Sequence, residues 1–151
     1  MSTGEFEQYV KRAVPEYANE HIRAGDVHPE VALAKASEEY AQLLPQGVAT
    51  PGHYLYAITS ADGDTNVGML WFELRERQNT KSAFLFDVHL EPEYRGKGLG
   101  RRVMEELEVR VKELGARSIG LFVFGDNSAA RTLYEKCGFR YANMYMTKDL
   151  G

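Results

Sequence analysis

The sequence contains only one cysteine, Cys137, among its 151 residues. An internal disulfide is therefore excluded, and a single thiol is typical of proteins from a reducing compartment. No apolar run approaches the roughly 18 consecutive residues that a membrane-spanning helix requires. No positively charged and then apolar leader opens the chain, so we expect a cytoplasmic protein with no membrane partner.

Neither sign of charge dominates, since the formal net charge is only −4. A chain with this balance has no broad basic face, so no nucleic-acid partner is expected. The four histidines are scattered without partners at metal-ligand spacing, and the sequence predicts no metal site. The length and the ordinary globular composition fit one domain over residues 1–151.

Apolar periodicity predicts a helical first third. One helix is expected over 5–24, with Pro15 as a point where it bends or restarts, and a second over 29–44. Aromatic and β-branched runs then predict a hairpin of strands over 53–59 and 67–74, because turn residues separate the two runs.

The rest of the chain alternates strands with helices. A polar connection is predicted over 75–81, before an apolar run over 83–90 that is typical of a central strand covered on both faces. The elements that follow are a helix over 99–114, a strand over 118–124, a short helix that Asn127 or Ser128 caps and that runs to Cys137, and one or two closing strands over 140–150. This order predicts an α/β (mixed α+β) fold, in which a mixed antiparallel and parallel central sheet is flanked by helices.

A glycine-rich turn, Arg95-Gly96-Lys97-Gly98-Leu99-Gly100-Arg101, joins the central strand to the long helix. Glycines lack side chains, so successive backbone N–H groups can approach one anion, and the helix adds the positive end of its dipole. Arg95, Lys97, Arg101 and Arg102 place positive charge around the same turn. These features suit a pyrophosphate, and the alternative is a turn that merely starts a helix. The spacing matches neither the mononucleotide P-loop nor the dinucleotide fingerprint.

Two motifs resemble those of the GNAT superfamily of N-acetyltransferases. Residues 87–100 (DVHLEPEYRGKGLG) are similar to the family's coenzyme A motif, with its Arg-x-x-Gly-x-Gly core at Arg95, Gly98 and Gly100. Residues 127–139 (NSAARTLYEKCGF) resemble the family's asparagine-led helix that ends in Tyr-x-x-x-Gly-Phe. The resemblance implies a single-domain GNAT-like fold.

The resemblance covers roughly residues 53–150, and one departure concerns the start of the fold. Members of the family usually open with a β-strand before the first helix, whereas residues 1–4 leave no room for one. We expect a sheet that lacks this strand, a homodimer in which a partner chain supplies it, or a sequence that has lost its true start. An uncovered strand edge favours pairing with another chain.

The resemblance also implies acetyl-coenzyme A as the acetyl donor and an amine as the acceptor. The backbone amides of the turn would hold the pyrophosphate. The central strand would pair with the pantetheine arm, and an N–H of Val88 or Leu90 on this strand would polarise the thioester carbonyl. Asn127 would reach the pantetheine arm from the other side. The implied cofactor-binding residues are Val88, His89, Leu90, Arg95, Gly96, Lys97, Gly98, Leu99, Gly100, Arg101 and Asn127. The alternative function is a sensor module that binds acyl-coenzyme A without turnover.

Acetyl transfer requires the amine, with a free pKa of about 10.4, to lose a proton and the departing thiolate to gain one. The resemblance places Tyr134 near the cofactor sulfur as the general acid, with a core tyrosine as the alternative. Asp87 interrupts an apolar strand and is the candidate general base, with a structural carboxylate as the alternative. By strand alternation His89 shares the face of Asp87 and could share this role. Glu73 is a further carboxylate that could line the acceptor cleft.

Overall fold

The computed structural model describes residues 1–151. Its helices and strands, in chain order, are α1 (Thr3–Ala24), α2 (Pro29–Leu43), β1 (His53–Thr59), β2 (Asn66–Arg77), β3 (Thr80–Leu90), α3 (Leu99–Glu113), β4 (Ala116–Leu121) and α4 (Ser128–Lys136). Short 3-10 turns at Gly47–Ala49 and Pro92–Tyr94 precede β1 and the glycine-rich turn. None of the helices combines the length and the apolar character that crossing a membrane requires.

The four strands form one sheet in the order β1-β2-β3-β4, and only the pair of β3 and β4 is parallel. This pair is parallel because α3 carries the chain back to the same end of the sheet between the two strands. The predicted mixed α/β fold is therefore confirmed. No strand precedes α1, so β1 forms one edge of the sheet and β4 forms the other.

The first helix is held at both ends and is continuous through its proline. At its start, the side chains and backbone of Ser2 and Glu5 form a reciprocal capping box, and at its end Gly25 adopts a left-handed φ of 77°. Pro15 removes one backbone hydrogen bond, but buried neighbours such as Ala13 and Val14 hold this turn against the rest of the fold.

Two apolar layers cover the two faces of the sheet. On one face, the buried cluster consists of Leu70, Phe72, Ala83, Leu85, Val103, Met104, Leu107, Val111 and Ala116, so that α3 packs on β2, β3 and β4. On the other face, α1 and the end of α2 pack on β1 and β2 through Tyr9, Ala13, Leu44, Leu55, Met69 and Trp71. Burial of these side chains supplies most of the driving force for the fold.

A β-bulge in β3 decides which way its polar residues point. Leu85 lies opposite Phe72 and Asp87 lies opposite Trp71, so Phe86 is an extra residue in the strand. Leu85 faces α3, whereas Phe86 stacks on Trp71 on the α1 side, with ring centres 4.3 Å apart. Because of the bulge, Asp87 also faces α1.

The predicted polar connection over 75–81 was wrong, because β2 and β3 remain paired through most of it. Gln78 and Asn79 adopt left-handed φ values of 50° and 60° and reverse the chain within two residues. The flanking residues pair although they are charged, since their side chains point into solvent.

The predicted closing strands over 140–150 do not form, and the strand predicted over 118–124 ends at Leu121. Residues 140–151 contain no helix or strand and are all exposed. A strand needs a neighbour that satisfies its N–H and C=O groups, and this segment has none within the chain.

Candidate active site

The glycine-rich turn presents a row of backbone amides without acceptors in the chain. Gly96 and Gly98 have φ values of 71° and 77°, which residues with a Cβ rarely adopt. The N–H groups from Gly96 to Arg101 make no backbone hydrogen bond, and the first that does is Arg102, which donates to the Gly98 carbonyl. The helix α3 has no side-chain cap. The free amides and the helix dipole together favour an anion in front of the turn.

Cationic side chains surround the turn without blocking it. Arg95 donates from Nε to the Leu90 carbonyl at 2.7 Å, which ties the turn to the end of β3. Arg101 pairs with Glu105 at 3.1 Å, one turn along α3. Arg95, Lys97 and Arg101 are exposed, so they add positive potential that an approaching anion meets before it reaches the amides.

The strand that leads into this turn has an open edge. Pairing between β3 and β4 ends where Leu85 lies opposite Leu121, whereas β3 continues to Leu90. The edge of residues 86–90 that faces β4 therefore has no strand beside it. An extended ligand with amide groups can hydrogen-bond to such an edge as an added strand does. Val88, His89 and Leu90, predicted to bind the pantetheine arm, lie on this edge.

Asp87 is partly buried on the α1 side of β3 and accepts a hydrogen bond from the Tyr9 hydroxyl at 3.1 Å. Burial raises the pKa of Asp87, while the charge of Arg12 and the Tyr9 hydrogen bond act in the opposite direction. Burial and the charge of Asp87 raise the pKa of Tyr9 well above its usual value, so the phenol remains a donor. A carboxylate with a raised pKa is a stronger proton acceptor than an exposed aspartate, which suits a general base.

His89 shares the α1 side with Asp87, as alternation predicted, but it is bound differently. Its Nδ1 lies 3.1 Å from Nη1 of Arg12. A guanidinium only donates, so Nδ1 accepts and the imidazole carries its proton on Nε2. Burial and then the charge of Arg12 lower the pKa of His89, which favours the neutral ring. Because Arg12 occupies the lone pair that a base would use, Asp87 is the better candidate.

Tyr134 approaches from the opposite side of the sheet. It lies on α4, packs at the border of the α3-side cluster and has its ring centre 5.7 Å from that of Phe139. Burial raises the pKa of Tyr134 to about 12, with smaller contributions from Asp87, Cys137 and Glu20. The phenol therefore stays protonated at neutral pH and can serve as a proton donor.

Asn127 begins α4 as its N-cap, and its Oδ1 accepts from the Ala130 N–H at 3.1 Å. Of the two caps considered from the sequence, Asn127 is the one that forms, and its contact with the pantetheine arm stays a prediction. Glu73 pairs with Arg75 at 2.7 Å and lies 3.8 Å from His53, and its place in the acceptor cleft stays a prediction.

Three residues of α1, on the same side of the sheet as Asp87, were not predicted as part of the site. Tyr9 contacts Asp87, and Arg12 contacts His89. Glu20 is a partly buried carboxyl group, and its pKa is raised first by burial and then by the charge of Asp87. Tyr9 fits an ordinary apolar helix stripe, and no spacing connects it with a strand far along the chain. The available signal was weak: Arg12 and Glu20 lie two turns apart on one helix face.

Comparison with known proteins identifies the family. Residues 18–139 match the model of the Acetyltransferase (GNAT) family. The chain belongs to the GNAT acetyltransferase family. YycN of Bacillus subtilis, named an uncharacterized N-acetyltransferase, is 35% identical over 150 residues, which cover 99% of this chain and 96% of YycN. YdgE of the same organism carries the same description and is 33% identical over 150 residues, covering 99% and 95%.

The fold agrees with this relationship. The crystal structure of YycN matches this chain with a TM-score of 0.93 at 35% identity, covering 99% of this chain and 95% of that of YycN. As a GNAT acetyltransferase, this protein is an acyltransferase, and the family in general takes its acetyl group from acetyl-coenzyme A. The free amides of the turn suit the diphosphate of that molecule, and the open edge of β3 suits its extended pantetheine arm.

Proposed function

We propose that this GNAT protein transfers an acetyl group from acetyl-coenzyme A directly to a primary amine of a small molecule or a protein. The observation that carries the proposal is the row of free amides from Gly96 to Arg101, which adjoins the unpaired edge of β3 over residues 86–90. The first feature suits a diphosphate and the second an extended amide chain. Coenzyme A contains both groups, joined in this order.

The residues divide the work of the reaction between the two sides of the sheet. A backbone N–H of Val88 or Leu90 polarises the thioester carbonyl. Asp87 accepts a proton from the amine, directly or through water, because an alkylamine of pKa about 10.4 is mostly protonated at neutral pH. Tyr134 gives a proton to the departing thiolate. Starting from the alkylammonium, the nitrogen loses two protons as its bond to the acetyl carbon forms and the carbon–sulfur bond breaks. The first goes to Asp87 and on to solvent, and the second, lost from the tetrahedral intermediate, offsets the proton that Tyr134 gives to the thiolate.

The proton transfer from Tyr134 is uphill on its own. A thiol has a pKa of about 8.5, whereas burial raises the pKa of Tyr134 to about 12. We therefore expect the phenol to donate as the carbon–sulfur bond breaks, when charge develops on sulfur, rather than in a separate equilibrium.

Calorimetric titration with acetyl-coenzyme A, followed by a panel of primary amines with detection of free thiol, tests the proposal. We expect saturable binding and thiol release with at least one amine. Binding without turnover on any amine would favour the alternative of an acyl-coenzyme A sensor. Absence of binding would refute the assignment of the turn to the diphosphate.

A further inference from the structure

The last twelve residues, Arg140–Gly151, are here called the C-terminal arm. The arm is tied to its own chain at one point, where the Tyr141 hydroxyl donates to Glu135 and accepts from Nε of Arg131 at 3.0 Å. Past this point it has neither helix nor strand, and every residue is exposed. The arm is therefore held against α4 at its start and makes little use of the rest of the fold.

Exposed apolar side chains concentrate in this arm and at the end of β4. Nine large hydrophobic side chains are exposed in the whole chain, and six of them are Phe122, Tyr141, Met144, Tyr145, Met146 and Leu150. Phe122 directly follows β4, is 90% exposed and has its ring centre 5.4 Å from that of Phe84. Concentrated apolar exposure of this kind is typical of a surface that binds a protein, a membrane or a ligand.

The outer edge of β4 lacks a partner strand. β4 pairs with β3 on one side only, and the chain continues through Phe122 to Phe124 as an apolar run that is typical of a strand covered on both faces. The other edge of the sheet, β1, exposes no large hydrophobic side chain. An unpaired edge is a template for an added strand, and β4 is the edge that combines this property with exposed apolar surface.

We propose that the C-terminal arm of one chain adds as a strand to the β4 edge of a second copy, and that the second copy returns its arm in a two-fold symmetric dimer. A second copy is the occupant because the arm of the same chain is held on α4 at Tyr141 and no residue after it is paired with β4. Extended at about 3.3 Å per residue, the part beyond Tyr141 is longer than the six residues of β4. The exchange gives both unpaired segments a hydrogen-bonded neighbour and buries Phe122 together with the apolar side chains of the arm.

Light scattering of the full chain over a concentration series tests the proposal, and we expect twice the 17.1 kDa of one chain. Phe122→Ser should weaken the dimer at least tenfold by removing apolar burial. Tyr145→Pro and Met146→Pro should be compared. In an extended strand, neighbouring residues direct their N–H groups to opposite edges, so only one of the two prolines removes a hydrogen-bond donor to β4, and that variant should weaken the dimer more.

The controls use exposed positions. Neither Tyr145 nor Met146 lies in a helix or strand of the single chain, so circular dichroism should show an unchanged fold in both proline variants. Leu33→Ser on α2 removes a side chain that is 55% exposed, far along the sequence from the arm, and should leave the mass unchanged. A monomer at every concentration, or a dimer that Phe122→Ser and both prolines leave intact, would overturn the proposal.

Disulfide trapping separates exchange between chains from closure of the arm on its own β4. With Cys137→Ser in both chains, one chain carries Phe122→Cys and the other carries a cysteine at Met144, Tyr145 or Met146 in turn. Exchange predicts a disulfide between the two chains when they are mixed and oxidised. A doubly substituted chain that forms only an internal disulfide would contradict it.

Discussion

Asp87 combines partial burial with a hydrogen bond from Tyr9, and the two act on its pKa in opposite directions. Burial is the larger effect and disfavours the carboxylate, whereas Arg12 and the Tyr9 hydroxyl stabilise it. The result is a stronger proton acceptor than an exposed aspartate, obtained at some expense of folding stability. The burial that would favour the proposed role of Asp87 as a general base therefore also lowers its contribution to folding stability at neutral pH.

Asp87→Asn should lower turnover by about 10²-fold or more without reducing stability at neutral pH. Because the folded-state pKa is raised, the folded chain binds this proton more tightly than the unfolded chain does. The stability from this group is thus present below the ordinary carboxyl pKa of about 3.9 and is lost as the pH rises through the raised value. Urea denaturation at pH 4 and pH 7.5 measures this pH dependence of the free energy of unfolding. Relative to the wild type, the variant should be more stable at pH 7.5 than at pH 4. A wild type that becomes more stable relative to the variant as the pH rises would contradict the raised pKa of Asp87.

Tyr134→Phe should lower kcat by about 10²-fold and leave the affinity for acetyl-coenzyme A almost unchanged, since only the proton donor is removed. Tyr56→Phe is the control, because its hydroxyl only accepts from Nε of Arg110 at 3.2 Å on the far strand β1. Kinetics by thiol release and binding by calorimetry separate the two effects. Full activity of Tyr134→Phe would remove this residue from the mechanism.

The turn and α3 form the unit that we assign to the diphosphate, and their geometry depends on left-handed glycines. Gly98→Val should abolish acetyl-coenzyme A binding, because a β-branched residue at a φ of 77° forces the amides out of alignment. Gly63→Val is a matched control, since Gly63 has a φ of 80° and equally open space around it but lies in the β1–β2 turn. Both variants should lose similar stability, and only Gly98→Val should lose binding in calorimetry. Equal affinity in the two variants would refute the assignment.

Elements with a strong apolar period were predicted almost to the residue. The first strand of the hairpin has the predicted bounds, and α3 ends one residue before the predicted position. The tip of the β2–β3 hairpin was missed because its charged residues carry no apolar alternation. Likewise, the sequence singled out Asp87 and Tyr134, whose catalytic roles stay predictions, whereas the contact of Tyr9 with Asp87 exists only once α1 is packed on the sheet.

The two apolar layers pack on opposite faces of the same sheet, so the molecule should unfold as one unit. Met104 is fully buried on the α3 side, and the single tryptophan, Trp71, is buried on the α1 side. A probe on one face can therefore report damage on the other.

Met104→Ala should reduce the free energy of unfolding by about 2–5 kcal/mol, because it leaves a cavity in a packed layer. Tryptophan fluorescence on the α1 side and far-UV circular dichroism should show the same shifted midpoint. Val109→Ala on the same helix is the control, since Val109 is 59% exposed and its truncation should change stability little. Separate midpoints for the two probes would show that the faces unfold independently.

The bulge at Phe86, rather than the length or the composition of β3, sets the direction in which Asp87 points. A relative without a residue at position 86 would keep Asp87 facing α1, because plain alternation from Leu85 then gives the same orientation and only the ring stacked on Trp71 is lost. A relative of equal length with a regular strand would instead turn the carboxylate into the apolar layer under α3, where an unpaired charge is severely destabilising. Single-residue deletions at this point should therefore be better tolerated than changes that merely straighten the strand.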